Sequence, residues 1–251
     1  VDAVGPAIKN RLSAPVTLGG GVTNVQLPSA DLNWTAMPHV ELGYRLGQAS
    51  GEFLISYRGL NASGLGNIAG FDAAGHTALL SSHLSMNVID FDYASRENSL
   101  GPLWDMKWRA GVRVATVFFD SSAATPLLNE RESNNFVGAG PHFGLGVKRR
   151  LGSTGFSLIG NVDGGAVLGR VNQLYEANVP GAAGGSAFAS TNEPAPVLEV
   201  HFGLDFNPSI CPNLHLSTGY VFERWWTVGE TLGTQGEVTY QGVFCRGEWR
   251  Y

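Results

Sequence analysis

Five histidines, His39, His83, His142, His201 and His215, stand among carboxylates such as Glu41, Asp90, Asp92, Glu199 and Asp205. An imidazole beside a carboxylate is the raw material of general-base chemistry or of a metal site. No serine or aspartate lies at a diagnostic spacing from these histidines, and Cys211 and Cys245 have neither CxxC spacing nor paired histidines beside them. No metal or cofactor is therefore implied. The one local basic cluster is Lys107, Arg109 and Arg113. On one face of a strand it would either form an anion-favouring constriction or pair with acids on adjacent strands.

Which face these groups share follows from the period. Ala36, Pro38, Val40, Leu42, Tyr44 and Leu46 alternate with Met37, His39, Glu41, Gly43, Arg45 and Gly47. Ala110, Val112, Val114, Thr116 and Phe118 alternate in the same way with Lys107, Arg109, Gly111, Arg113 and Ala115. The pattern recurs from Val137, from Leu198 and from Leu214, and a period of two is a strand with one apolar face. Ten segments qualify: 16–27, 36–47, 51–60, 78–94, 105–119, 135–150, 155–171, 196–207, 213–226 and 238–251. Most are long enough to cross a bilayer when tilted, which takes about 9–11 residues.

Connections at 48–50, 152–154 and 207–213 are tight, with 95–104 somewhat longer, whereas 61–77, 120–134, 172–195 and 227–237 read as long small-residue loops. Short turns at one end and long loops at the other characterise bacterial barrels. The expected fold is all-β, a transmembrane antiparallel up-and-down β-barrel of about ten strands, or twelve if an N-terminal part lies ahead of Val1. Residues 1–15 are expected to be a periplasmic or lumen-inserted segment, with 16–251 as the barrel. Both termini then lie on the short-turn, periplasmic side of a bacterial outer membrane. Val1–Pro6 carry no export signal, so the chain reads as a mature one or as one never exported.

In this register the pore-lining face carries Glu41, Arg45, Arg58, Lys107, Arg109, Arg113, His142, Lys148, Asp163, Glu199, His201, Asp205 and Glu223, together with the five histidines. The lipid-facing aromatics are Tyr44, Tyr57, Trp108, Phe118, Phe143, Phe206, Trp226, Trp249 and Tyr251, a girdle of the kind found at membrane interfaces. That aromatic face weighs against a soluble β-sandwich or lipocalin, to which alternation alone would also lead. Pro38 and Pro141 weigh the other way, because a strand-interior proline removes a ladder bond. Charged residues make up only 15% of the chain and glycine fills 34 positions, and the net charge of −5 is spread without a basic stripe. Nucleic-acid binding is disfavoured, and no run of about 18 apolar residues exists to form a membrane helix. The expected partners are outer-membrane lipids. The small outward face Gly160, Val162, Gly164, Ala166 would also suit a homo-oligomer or a neighbouring membrane protein.

Tyr93–Asp105, Trp108–Arg113 and Val117–Ser121, with Asn135–His142 and Val162–Arg170, resemble the pore-forming outer-membrane proteins typified by the Legionella major outer-membrane protein, particularly planctomycete relatives. The resemblance implies an outer-membrane location and a porin role, with no catalytic assignment. The leading expectation is thus a non-enzymatic barrel, a narrow porin or a structural component passing small polar solutes. The alternative is an outer-membrane hydrolase with a His/carboxylate site in or at the rim of the barrel. If 213–226 and 238–251 form a hairpin, opposed residue numbers sum to about 464, which places Cys211 and Cys245 too far apart to bridge.

Overall fold

The computed structural model describes residues 1–10, 14–18, 21–25, 27–47, 51–72, 74–152, 154–179, 184–211, 213–229 and 236–250, with side chains between 9 and 26 left aside. Every regular element among them is a strand: β1 (Asp2–Asn10), β2 (Ala14–Leu18), β3 (Gly21–Val25), β4 (Thr35–Met37), β5 (His39–Arg45), β6 (Glu52–Ile68), β7 (Ala78–Ala94), β8 (Asn98–Ser99), β9 (Trp104–Ala124), β10 (Asn129–Arg150), β11 (Phe156–Asn178), β12 (Gly185–Phe206), β13 (Leu214–Trp225) and β14 (Gly236–Trp249). Among the described residues, no helix is long and apolar enough to cross a membrane.

The sheet runs β4-β1-β14-β13-β12-β11-β10-β9-β7-β6-β5. Its two ends, β4 and β5, are halves of one segment interrupted at Pro38, so the sheet closes on itself with ten staves. β4 pairs with β1 and β5 with β6, all antiparallel. Closure leaves no edge at that level and satisfies the backbone internally, as a bilayer requires. The two awkward prolines sit where the ladder is already broken. Pro38 splits its stave, and the ladder between β10 and β11 skips Gly140 and Pro141.

Stepping from neighbour to neighbour, Asp105 on β9 leads through Lys148, Ile159, Gly203, Gly219, Phe244 and Asp2 to Met37, and the β5–β6 register, extended two residues past His39↔Arg58, leads on to Leu60, Met86 and then Val117, back on β9. This stagger of twelve residues tilts ten staves by roughly 40° and makes a barrel little wider than one filled by its own side chains.

Two expectations are corrected here. The first wall strand is β1, paired with β14 from Asp2↔Phe244 to Asn10↔Gly236, where a periplasmic or lumen-inserted segment over 1–15 and a first strand over 16–27 were expected. Ala14–Leu18 and Gly21–Val25 instead pair with each other, as β2 and β3, in a separate two-stranded sheet. The expected long loops at 120–134 and 172–195 are strand up to Ala124 and from Asn129, and up to Asn178 and from Gly185: β9 to β12 run 21, 22, 23 and 22 residues. That is about twice what a bilayer crossing needs. Beyond the hydrocarbon the outward face no longer has to be apolar, so Ser, Asn and Thr there mimic a loop in sequence.

Candidate functional site

Alternation sends one set of side chains to lipid and the other into the lumen. On the outside, Val40, Leu42, Tyr44, Tyr57, Val112, Phe143, Leu145 and Trp249 are exposed, and Trp108, Phe118, Phe206 and Trp226 are partly so. Tyr251 lies outside the described residues. Near the short-turn end the rings link across four strands, Phe53 to Tyr93 at 5.8 Å, Tyr93 to Trp108 at 5.6 Å and Trp108 to Phe143 at 6.5 Å between centroids. Phe156 stacks on Phe206 at 4.6 Å further round. Linked rings at one level form an interfacial girdle.

The lumen is layered. At the short-turn end lies a cavity of about 230 Å³ lined by Glu41, Lys107, Arg109, Asn161, Asp163 and Glu248 among others. Its cations are paired: Lys107 with Glu52, Arg109 Nε with Asp163 at 2.5 Å, and Lys148 at its side with Asp205 at 2.5 Å. Gly144 belongs to this wall because a Cβ there would lie 1.9 Å from an Asp163 oxygen. The bare strand lets Arg109 and Asp163 lie flat across it. Arg45 is exposed at the rim.

Above the cavity an ionic belt crosses the barrel. Arg58 meets Glu223 at 2.6 Å, Glu199 at 3.0 Å and Asp90 at 3.7 Å. Arg113 forms a two-pronged pair with Asp90, at 2.7 and 2.9 Å, and reaches Glu199 at 3.3 Å. Trp225 Nε1 and the Tyr240 hydroxyl both donate to Glu223. His201 contacts Glu199 at 2.6 Å and His142 lies 2.5 Å from Asp92. Gly111 makes room for that carboxylate, since a Cβ there would come 2.0 Å from Asp92 Oδ1. Buried charges are tolerable only when paired in this way.

Higher still the lumen holds an apolar layer. Leu60, Leu84, Met86, Val88, Val117, Phe119, Phe136, Val171, Val197 and Val238 form one buried cluster that also takes in Trp225 and Tyr240. The segment Leu27–Asn33 crosses its inner wall. The Ala30 N–H donates to Ser82 Oγ, and Ser121 Oγ donates to the Pro28 carbonyl. This corrects the expectation of a charged interior throughout, and the apolar layer is what the alternation missed. Runs such as Val117-Phe118-Phe119 and Tyr220-Val221-Phe222, apolar on both faces, carry the signal for it.

Of the candidate residues, Arg58, Arg113, His142, Glu199, His201 and Glu223 come together in the belt, Asp163 and Asp205 line the wall below it, and Glu41, Lys107, Arg109 and Lys148 lie around the cavity. His83 is corrected: β7 buries its even positions, so His83 faces outward beside Asp120 on β9. Among the described residues, neither His142 nor His201 is hydrogen-bonded to a hydroxyl, and no group of three or more His, Cys, Asp or Glu could hold a metal ion.

No curated protein matches the chain. The family described as Legionella pneumophila major outer membrane protein precursor matches residues 8–250, a span that contains the girdle, the belt and nine of the ten staves whole. The all-strand closed barrel with an apolar outer face and this match agree: the chain is an outer-membrane β-barrel belonging to the Legionella major outer membrane protein family.

Proposed function

We propose that this barrel is sealed, a structural component of the outer membrane rather than an open porin, with its short-turn end and both chain ends facing the periplasm. The observation that carries this reading is the filled lumen. At the belt, the Arg58 and Glu223 side chains are 3% and 0% exposed, and above them a layer of packed apolar side chains fills the lumen. Hydrophobic constrictions close a pore by excluding water, and here the constriction is packed side chains. The pairing of Lys107 and Arg109 with carboxylates favours structural filling over an anion constriction. The same pairing supports a non-enzymatic role, because Glu199 is shared by His201 and two arginines and so is committed to holding charge.

Purified protein reconstituted into planar bilayers is expected to give no discrete ohmic steps. Hollowing the apolar layer by Phe136→Ala together with Trp225→Ala is expected to introduce them. Steady steps from the unmodified protein would overturn the reading and restore the porin.

A further inference from the structure

The ionic belt gives a common height on the outer wall. Arg58, Asp90, Arg113, Glu199 and Glu223 touch one another across the lumen, so β6, β7, β9, β12 and β13 pass one level where they carry these residues. His142, which meets Asp92, brings β10 to the same level. Above the belt, toward the long-strand end, the two sides of the barrel differ. Five residues on from Arg113, His142 and Glu199 the outward side chains are Phe118, Val137 and Pro194, with Val114, Ala139 and Leu198 among those between. Thr116 carries the one hydroxyl in these stretches. At about 3.3 Å per residue and a tilt of roughly 40°, this side stays apolar for about 13 Å above the belt.

On the other side the apolar face stops almost at the belt. The residue after Glu223 is Arg224, Asn61 stands three beyond Arg58, and Asn87 and Ser85 stand three and five beyond Asp90. Arg224 is paired on the outer face with Glu237 of β14 at 2.5 Å. Two tyrosines mark the change. The Tyr57 hydroxyl donates to Asn87 Oδ1 and the Tyr220 hydroxyl to Gln241 Oε1, each at 2.8 Å. Tyr57 stands opposite Ile89 and Tyr220 opposite Val243, one outward step below those amides, so both hydroxyls are turned away from the short-turn end. An apolar ring with its hydroxyl on the wet side is the posture of tyrosine at a membrane interface.

We propose that the wall thins the bilayer on one side. Along the arc from β13 through β14, β1 and β6 to β7, headgroups and water of the leaflet at the long-strand end come down to the height of the belt. The last outward apolar residue before Asn87 is Ile89, one beyond Asp90, against five beyond the belt on β9, β10 and β12. Four residues of difference make the hydrocarbon about 10 Å thinner along the arc. A bilayer of uniform thickness would instead hold the Arg224–Glu237 pair and the amides in oil, whereas a short apolar belt is met by local thinning at modest cost. The tyrosine hydroxyls, the amides and the charge pair bond one another within the wall. They call for headgroups and water rather than for a second copy of the chain.

The test uses the chain with Cys211→Ser and Cys245→Ser, carrying one added cysteine at a time labelled with a fluorophore, in vesicles whose hydrocarbon core is about 30 Å thick. Asn87→Cys and Ala139→Cys lie equally far above the belt, as do Ser85→Cys and Val137→Cys. Phospholipid brominated on its acyl chains quenches from hydrocarbon, and iodide on both sides of the membrane quenches from water. Bromine is expected to prevail at positions 139 and 137 and iodide at 87 and 85. Their ratio should differ by at least about tenfold within each pair, because an ion does not enter hydrocarbon. Equal ratios within the pairs overturn the proposal, whichever quencher prevails. So does a label at 87 and 85 that neither quencher reaches, the mark of a second copy of the chain lying on the arc. Two pairs keep the comparison if one variant fails to fold. Conductance does not enter the measurement, so this proposal and the sealed barrel stand or fall separately.

Discussion

Arg58 and Glu223 lie 165 positions apart in the sequence and 2.6 Å apart across the lumen, each almost wholly removed from water. Glu223→Ala removes the shortest of Arg58's three carboxylate contacts and leaves the Trp225 and Tyr240 donors without their acceptor. A loss of about 3–5 kcal/mol is expected, as when a buried pair is broken from one side. It would appear as a lower urea midpoint in detergent. Replacing both partners, Arg58→Met with Glu223→Leu, should recover most of it, and an unchanged midpoint in the single variant would mean that the belt is hydrated.

The two faces of β10 respond to different solvents. Arginine at outward Val112 on β9, above the girdle, should cost about 2–4 kcal/mol in a lipid bilayer, and less at outward Leu145, which lies opposite Trp108 in the girdle. At inward His142, substitution by alanine strands Asp92 instead. That loss should be the same in bilayer and detergent. Comparing unfolding in the two media separates the cases, and equal medium dependence at Leu145 and His142 would refute the inside-out assignment.

Gly64 is where the crossing segment touches the wall. A Cβ there would lie 2.0 Å from the Asp31 carbonyl oxygen, whereas at Gly66 the nearest atom would be 3.6 Å away. Gly64→Ala should therefore destabilise by about 1–3 kcal/mol through overpacking, and amide exchange at Ala30 should rise. Gly66→Ala should do neither.

Cys211 and Cys245 are unbridged. Cys245 faces outward opposite Thr218, and Cys211 lies in the turn between β12 and β13. Alkylation without reductant should label both, Cys245 only with a membrane-permeant reagent. A peptide joining the two within one chain would contradict the register of the last hairpin.

Asp72 lies in the connection between β6 and β7. Desolvation would raise its carboxyl, but hydrogen bonds from the His76 backbone and ring, from Thr125 and from the Ala74 N–H outweigh that and hold the pKa at about 2. A folded pKa below the ordinary value of 3.8 contributes order that is complete above pH 4 and is lost as pH falls toward 2. Amide exchange at Ala74 and His76 should accelerate over that window. Asp72→Asn should remove the pH dependence.

Much of this was legible in the sequence, for physical reasons. Val112 and Arg113 must point opposite ways in any strand, so the lipid face and the belt follow from period alone. The last hairpin was placed within one residue, since Leu214↔Trp249 gives 463. Contacts across the lumen were not legible, because Arg58 finds Glu223 only after ten staves close with a stagger of twelve. Nor was β1, whose Gly5 and Pro6 blur its alternation.

The length of β12 has a consequence for how one strand is built. Near its C-terminal end the outward residues Phe202 and Leu204 are exposed to hydrocarbon, whereas toward its N-terminal end Ser186, Ser190 and Asn192 occupy the same face. The ladder to β11 runs unbroken between them, from Ala177↔Gly185 to Phe156↔Phe206. A single strand is thus dissolved in oil at one end and in water at the other. The membrane boundary is written only in its side chains, so polar substitutions along one face should change from harmful to silent within a few residues, tracing the height of the lipid surface on the protein.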